Sequence, residues 1–196
     1  MEPDHRRPVD TTTAAPVYSP TARFFHWLTV IAIVVQIPLG FYMVWRGGAT
    51  NFDATTNTLY SGHKLLGFLL LWFVVLRLLY RFTHGAPPDE PSLAWWHKAG
   101  AHLSHWGLYA LLIIVPALGW LGVSHYGALD VLGGWSLPAI AEKNEDKANW
   151  VFQLHYWGVL LILAVAAVHI CAALYHHFIR GDGVLRRMLP SLGQRR

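Results

Sequence analysis

Apolar residues fall into four long blocks, separated by short polar or proline-rich connections. The blocks run from about Phe24 to Trp45, Leu59 to Tyr80, Ala101 to Ser124 and Trp150 to Phe178. Each meets the roughly 20 residues that a helix needs to cross the hydrocarbon of a bilayer. Backbone amides find no water there, so spans of this length must be helical. The pattern predicts an all-α integral membrane four-helix bundle over residues 21–192. Pro38 and Pro116 lie inside the first and third blocks, where each removes a backbone donor and kinks its helix. The polar, Thr-rich residues 1–20 predict a flexible N-terminal arm. Pro87, Pro88 and Pro91 make the second connection a loop that Trp95, Trp96 and His97 leave along the membrane interface. The 125–149 connection is the longest, and a short helix is expected near Ile140–Lys147.

Composition supports this reading. Hydrophobic residues make up 54% of the chain and charged residues 13%, against about a quarter charged in soluble domains. Trp27, Trp45, Trp106, Trp120, Trp150 and Trp157 lie towards block ends, as interfacial anchors do. Eleven of the 15 Lys and Arg fall in the N-terminal segment, the Arg77–Lys98 connection and the tail after Phe178. The positive-inside rule therefore predicts both termini in the cytoplasm. The first block is too long for a cleavable signal peptide. The net charge of +4 needs no nucleic acid, because the cations cluster where anionic headgroups lie. The single cysteine, Cys171, excludes an intramolecular disulfide and covalent haem attachment through CxxCH. No carboxylate lies inside a block, which argues against a proton pump or ion transporter.

The candidate chemistry is in the 12 histidines. His155 and His169 are 14 residues apart in the fourth block. On a helix that is nearly four turns, so both imidazoles share a face about 21 Å apart along the axis. Imidazole in hydrocarbon needs a partner. By depth, His63 at the start of the second block pairs with His155, and His26 at the start of the first pairs with His169. Such pairs suit bis-histidine haem iron, which leaves no open coordination position and serves electron transfer. Zinc fits poorly, because it favours tetrahedral sites with grouped ligands. His102 and His105 lie at the inner depth too, and depth alone leaves His105 open as a partner of His169. His176 shares a face with His169, and His177 follows it; both are candidates for a polar pocket at the inner end. His5, His84, His97 and His125 read as solvated or headgroup-facing side chains.

Several motifs carry a resemblance: Arg23-Phe24-Phe25-His26-Trp27-Leu28, Gly62-His63-Lys64-Leu65-Leu66-Gly67, Val75 to Arg81, His102-Leu103-Ser104-His105, Leu154-His155, Ala167-Val168-His169 and Tyr175-His176-His177-Phe178. In this order and spacing the chain resembles the bacterial cytochrome b561 family over residues 18–192. The resemblance implies two b-type haems with axial ligands His26, His63, His155 and His169, choosing His26 over His105. It also implies electron exchange with quinone, with superoxide as one donor considered for such proteins. Related cytochrome subunits anchor dehydrogenases or hydrogenases and need a redox partner protein; a homodimer is also compatible. Arg23, Lys64, Arg77 and Arg81 lie near block ends and are candidates for the haem propionates. His176 and His177 are candidates for proton exchange with quinone near the inner haem.

Overall fold

A computed structural model describes residues 16–189. Within them the chain is an all-α membrane bundle of four long helices: α1 (Pro20–Thr50), α2 (Ala54–His84), α3 (Trp95–Tyr126) and α4 (Glu145–Tyr175). All four are long and apolar enough to cross a membrane. The helices outrun the apolar blocks because their caps lie beyond the hydrocarbon. Ser19 Oγ accepts from Ala22 N (3.1 Å) at the start of α1, and Asp53 Oδ1 from Thr56 N (2.8 Å) at the start of α2. Asn144 Oδ1 accepts from Lys147 N (3.0 Å) at the start of α4. Each satisfies an amide that the first turn leaves without an intrahelical partner. Gly127, at φ 83°, ends α3 in the left-handed conformation that favours glycine.

Two expectations are corrected. Trp95, Trp96 and His97 form the first turn of α3 rather than an approach to it. The short helix expected near Ile140–Lys147 is absent: residues 140–144 are not helical, and Glu145–Lys147 begin α4. Bonds back to the end of α3 explain this. Ser124 Oγ accepts from Ile140 N (3.3 Å), His125 O accepts from Asn144 N (2.8 Å), and His125 Nδ1 lies 2.7 Å from Glu142 O. The helical turn in this connection is at Leu132–Gly134.

The starts of α1 and α3 and the ends of α2 and α4 share one end of the bundle, here the terminal end; the opposite end carries the 127–144 connection. Close backbone approach joins α3 to α4, α1 to α2 and α2 to α3. Two glycines explain the tightest of these. A Cβ on Gly158 would lie 2.6 Å from Val115 Cγ2, and one on Gly122 would lie 2.5 Å from the Phe152 ring. Small residues permit such contact between membrane helices, where packing replaces the hydrophobic effect. Leu70, Val74, Leu112, Val115 and Ile162 form the buried core where α2, α3 and α4 meet. By contrast, α4 makes no extended backbone approach to α1 or α2. Side chains from α1 and α2 face α4 across that gap.

Arg187 clasps the terminal end. Its Nε donates to Pro16 O (3.1 Å), its Nη2 donates to Pro88 O, and its guanidinium lies 5.7 Å from the Tyr18 ring centre. Tyr18 N donates to Arg187 O (3.2 Å). One buried side chain thus ties the segment before α1, the α2–α3 loop and the tail after α4. The expected flexible arm lies outside the described residues up to residue 15.

Candidate functional site

Four half-buried histidines line the gap beside α4 in two pairs. Towards the loop end, His63 of α2 faces His155 of α4 with ring centres 6.3 Å apart. Towards the terminal end, His26 of α1 faces His169 of α4 at 6.5 Å. Two imidazoles on opposite sides of one metal, with bonds of about 2 Å and ring centres roughly 1.1 Å beyond each nitrogen, stand about 6.2 Å apart. Both pairs match this spacing. His105 is also near His169, but at 5.2 Å, about 1 Å too close for that arrangement.

The loop-end pair is prepared for a metal in other ways. His155 Nδ1 lies 2.8 Å from Val115 O. A carbonyl only accepts, so Nδ1 carries the proton and Nε2 keeps a free lone pair. His63 Nδ1 is buried without a partner. Gln36 Nε2 donates to His63 O (2.8 Å) and fixes the backbone there. Glycines lie against both rings. A Cβ on Gly40 would fall 3.0 Å from His63 Cε1, and one on Gly119 would fall 3.1 Å from His155 Cε1. Larger residues at either position would displace the ring.

The terminal-end pair has a different setting. Arg77 Nη2 lies 3.1 Å from His26 Nδ1, and its guanidinium sits 5.2 Å from the Tyr109 ring centre. Guanidinium only donates, so here Nδ1 accepts and the proton is on Nε2. Beside this pair is a cavity of about 290 Å³. Arg81, His102, His105 and Pro88 help to line it. Arg81 Nη1 is buried without a partner, and His102 Nε2 lies 3.1 Å from Asp89 Oδ2.

The remaining candidates separate. Lys64 Nζ donates to Ala128 O (2.8 Å), pinning the start of the long connection to α2. Arg23 lines an outward-facing apolar groove. His176 is buried, with Nδ1 2.5 Å from Asp182 Oδ2, and Arg180 Nε lies 3.4 Å from the same oxygen. His177 packs on Phe178 at 4.8 Å between ring centres. Neither joins the His26–His169 pair, from which His176 is about 10 Å along the helix. His97, read from the sequence as solvated, packs on His176 at 5.2 Å with its Nδ1 buried. Once it lies in the first turn of α3, its side chain turns towards the end of α4. Gly40, Gly119 and Gln36 were not singled out in sequence; isolated glycines inside apolar helices were the available signal for the first two.

Residues 17–191 match the prokaryotic cytochrome b561 family. Over 173 residues the chain is 30% identical to cytochrome b561 homolog 2 of Escherichia coli (strain K12), covering 88% of this chain and 90% of the relative. Cytochrome b561 homolog 1 of the same organism is 24% identical over 173 residues, 88% of this chain and 97% of the relative. The probable superoxide oxidase CybB of Yersinia pestis is 28% identical over 129 residues, 66% of this chain and 73% of the relative. With four apolar helices and this match over nearly its whole length, the chain belongs to the prokaryotic cytochrome b561 family of haem-binding, electron-transferring membrane proteins.

Proposed function

We propose that the chain carries two b-type haems, one between His63 and His155 and one between His26 and His169, and conducts electrons between quinone and a second redox partner. The observation that carries this is the pair of imidazole separations, 6.3 and 6.5 Å, at two depths along the single helix α4. Haem iron with two imidazole ligands supplies a one-electron carrier without an open position for substrate.

The chain's own groups do the rest. Val115 O holds the His155 proton on Nδ1 and aims Nε2 into the gap. Gly40 and Gly119 leave the facing rings their room. At the other site, a haem held through His26 Nε2 would need the His26 proton on Nδ1, where it would compete with the present Arg77 contact. Arg77 and Arg81 would then be the cations available to a haem propionate. Lys64 serves mainly as a strut, since its ammonium is engaged by Ala128 O. The cavity beside His105 is where a quinone headgroup would come close to the terminal-end haem. The buried His176–Asp182 pair would exchange protons at that end, with His177 nearer its surface. The charge bias puts both termini in the cytoplasm of the bacterial inner membrane. Superoxide is a candidate donor because it is named for the Yersinia pestis relative.

The test is the reduced-minus-oxidised spectrum and haem content of purified protein. Two b-type haems per chain are expected, with His155→Ala and His169→Ala each removing a different one. Retention of both haems in either variant would overturn its assignment. Quinol-dependent reduction of the purified chain supports an autonomous oxidoreductase. Reduction only with a co-purifying dehydrogenase or hydrogenase would favour the anchor-subunit role.

A further inference from the structure

One cavity lies outside the histidine gap. It is an apolar groove of about 480 Å³ on the outer face of α1 at the terminal end. Phe24, Trp27, Leu28 and Ile31 form its floor, with Arg23 at its upper end and Met188 and Leu189 along one side. From Arg23 to Ile31 the helix descends about 12 Å, so the groove runs from interfacial depth into the hydrocarbon.

The side wall is held in place. Trp27 Nε1 donates to Met188 O (3.2 Å), while the Arg187 clasp fixes the residue before it. The tail therefore adds a rim to what would otherwise be a plain helix face. Arg23 lines the groove, and its guanidinium keeps its positive charge at any physiological pH. The groove thus presents one cation above a strip that accepts hydrocarbon.

We propose that this groove is a binding site for one anionic phospholipid, with its phosphate on Arg23 and an acyl chain laid along Trp27, Leu28 and Ile31 under the Met188–Leu189 rim. Charge complementarity selects the headgroup, and the depth of the groove selects a chain-bearing ligand over free phosphate. Basic pockets at membrane-protein ends recognise anionic headgroups by this chemistry. The bound lipid would brace the first turns of α1, which carry His26.

Native mass spectrometry of the full-length, haem-loaded protein tests this with phosphatidylglycerol, phosphatidylcholine and inorganic phosphate as separate probes. We expect one retained phosphatidylglycerol, preferred over phosphatidylcholine roughly fivefold, as one interfacial cation allows. Arg23→Gln should abolish the preference and Arg23→Lys should keep it. Ile31→Trp should block the groove and lower retention of both lipids. Trp27→Phe, which releases the rim without removing charge, should lower retention of both while sparing the preference. Lys98→Gln, which removes a cation at the same end outside the groove, should change nothing. The proposal is overturned if the unaltered protein shows no headgroup preference, if Arg23→Gln behaves like Lys98→Gln, or if free phosphate binds as well as the lipid. Displacement of the lipid by a long-chain quinone at equal concentration would reassign the groove to quinone. Haem content, read in the same spectra, separates failure here from failure of the haem assignment.

Discussion

If each histidine pair holds a haem as proposed, adding one methyl group at Gly119 should release the one at the His63–His155 site and leave the other in place. A Cβ there would lie 3.1 Å from His155 Cε1 and 3.2 Å from Nδ1. Non-bonded carbon contacts are comfortable at about 3.5–4.0 Å, so the ring must retreat by at least roughly 0.4 Å. It is not free to do so, because Nδ1 is held 2.8 Å from Val115 O. Overpacking of this kind costs about 1–3 kcal/mol, which corresponds to haem binding weaker by roughly 5- to 150-fold. Transfer of haem from the purified protein to excess apomyoglobin reads this directly. Gly119→Ala should accelerate release of one haem by a factor in that range and leave the second unchanged. Gly40→Ala should accelerate the same one, because its Cβ would meet His63 at 3.0 Å. Gly107→Ala is the control on the same helix, since nothing lies within 4 Å of its Cβ. If Gly119→Ala released haem no faster than Gly107→Ala, the ring would not be constrained as argued. If Gly40→Ala and Gly119→Ala affected different haems, the pairing of His63 with His155 would be wrong.

Other predictions are independent of that site. Arg187→Ala should lower stability by about 2–4 kcal/mol, because it removes two charge-assisted hydrogen bonds from a buried clasp; thermal unfolding and faster proteolysis near Leu185–Leu189 would show it, and an unchanged melting temperature would count against the clasp. Arg77→Leu should lower the midpoint potential of one haem by tens of millivolts, because a nearby positive charge favours the reduced form; equal shifts in both haems would contradict its place beside His26. The Thr56 amide, and then Arg46, hold the Asp53 carboxyl below its ordinary range. Its contribution to stability is therefore complete above the ordinary carboxylate pKa and is lost as pH falls through the lower folded value. Asp53→Asn should flatten the acid limb of a stability-against-pH curve, and an unchanged limb would show that other carboxylates set it.

The four apolar blocks of the sequence were enough for the bundle, because a bilayer accepts little else of that length and polarity. Helix ends were less legible. Hydropathy stops at the edge of the hydrocarbon, whereas Ser19, Asp53 and Asn144 end the hydrogen-bonding ladder beyond it. The expected helix near Ile140–Lys147 failed for a related reason: bonds from residues 140–144 to the end of α3 outweighed local preference.

The sequence by itself determined the depths of the histidines, because a helix converts residue number into height. It therefore brought His63 level with His155, and both His26 and His105 level with His169. Depth carries no information about lateral position. Only the tertiary structure put His26 at 6.5 Å and His105 at 5.2 Å from His169, because helix packing sets which faces meet. It also decided that Lys64 bonds a loop carbonyl, that His97 meets His176, and that Arg23 faces a groove outside the gap. These depend on how helices rotate and how close glycine lets them come, which hydropathy along a single chain does not encode.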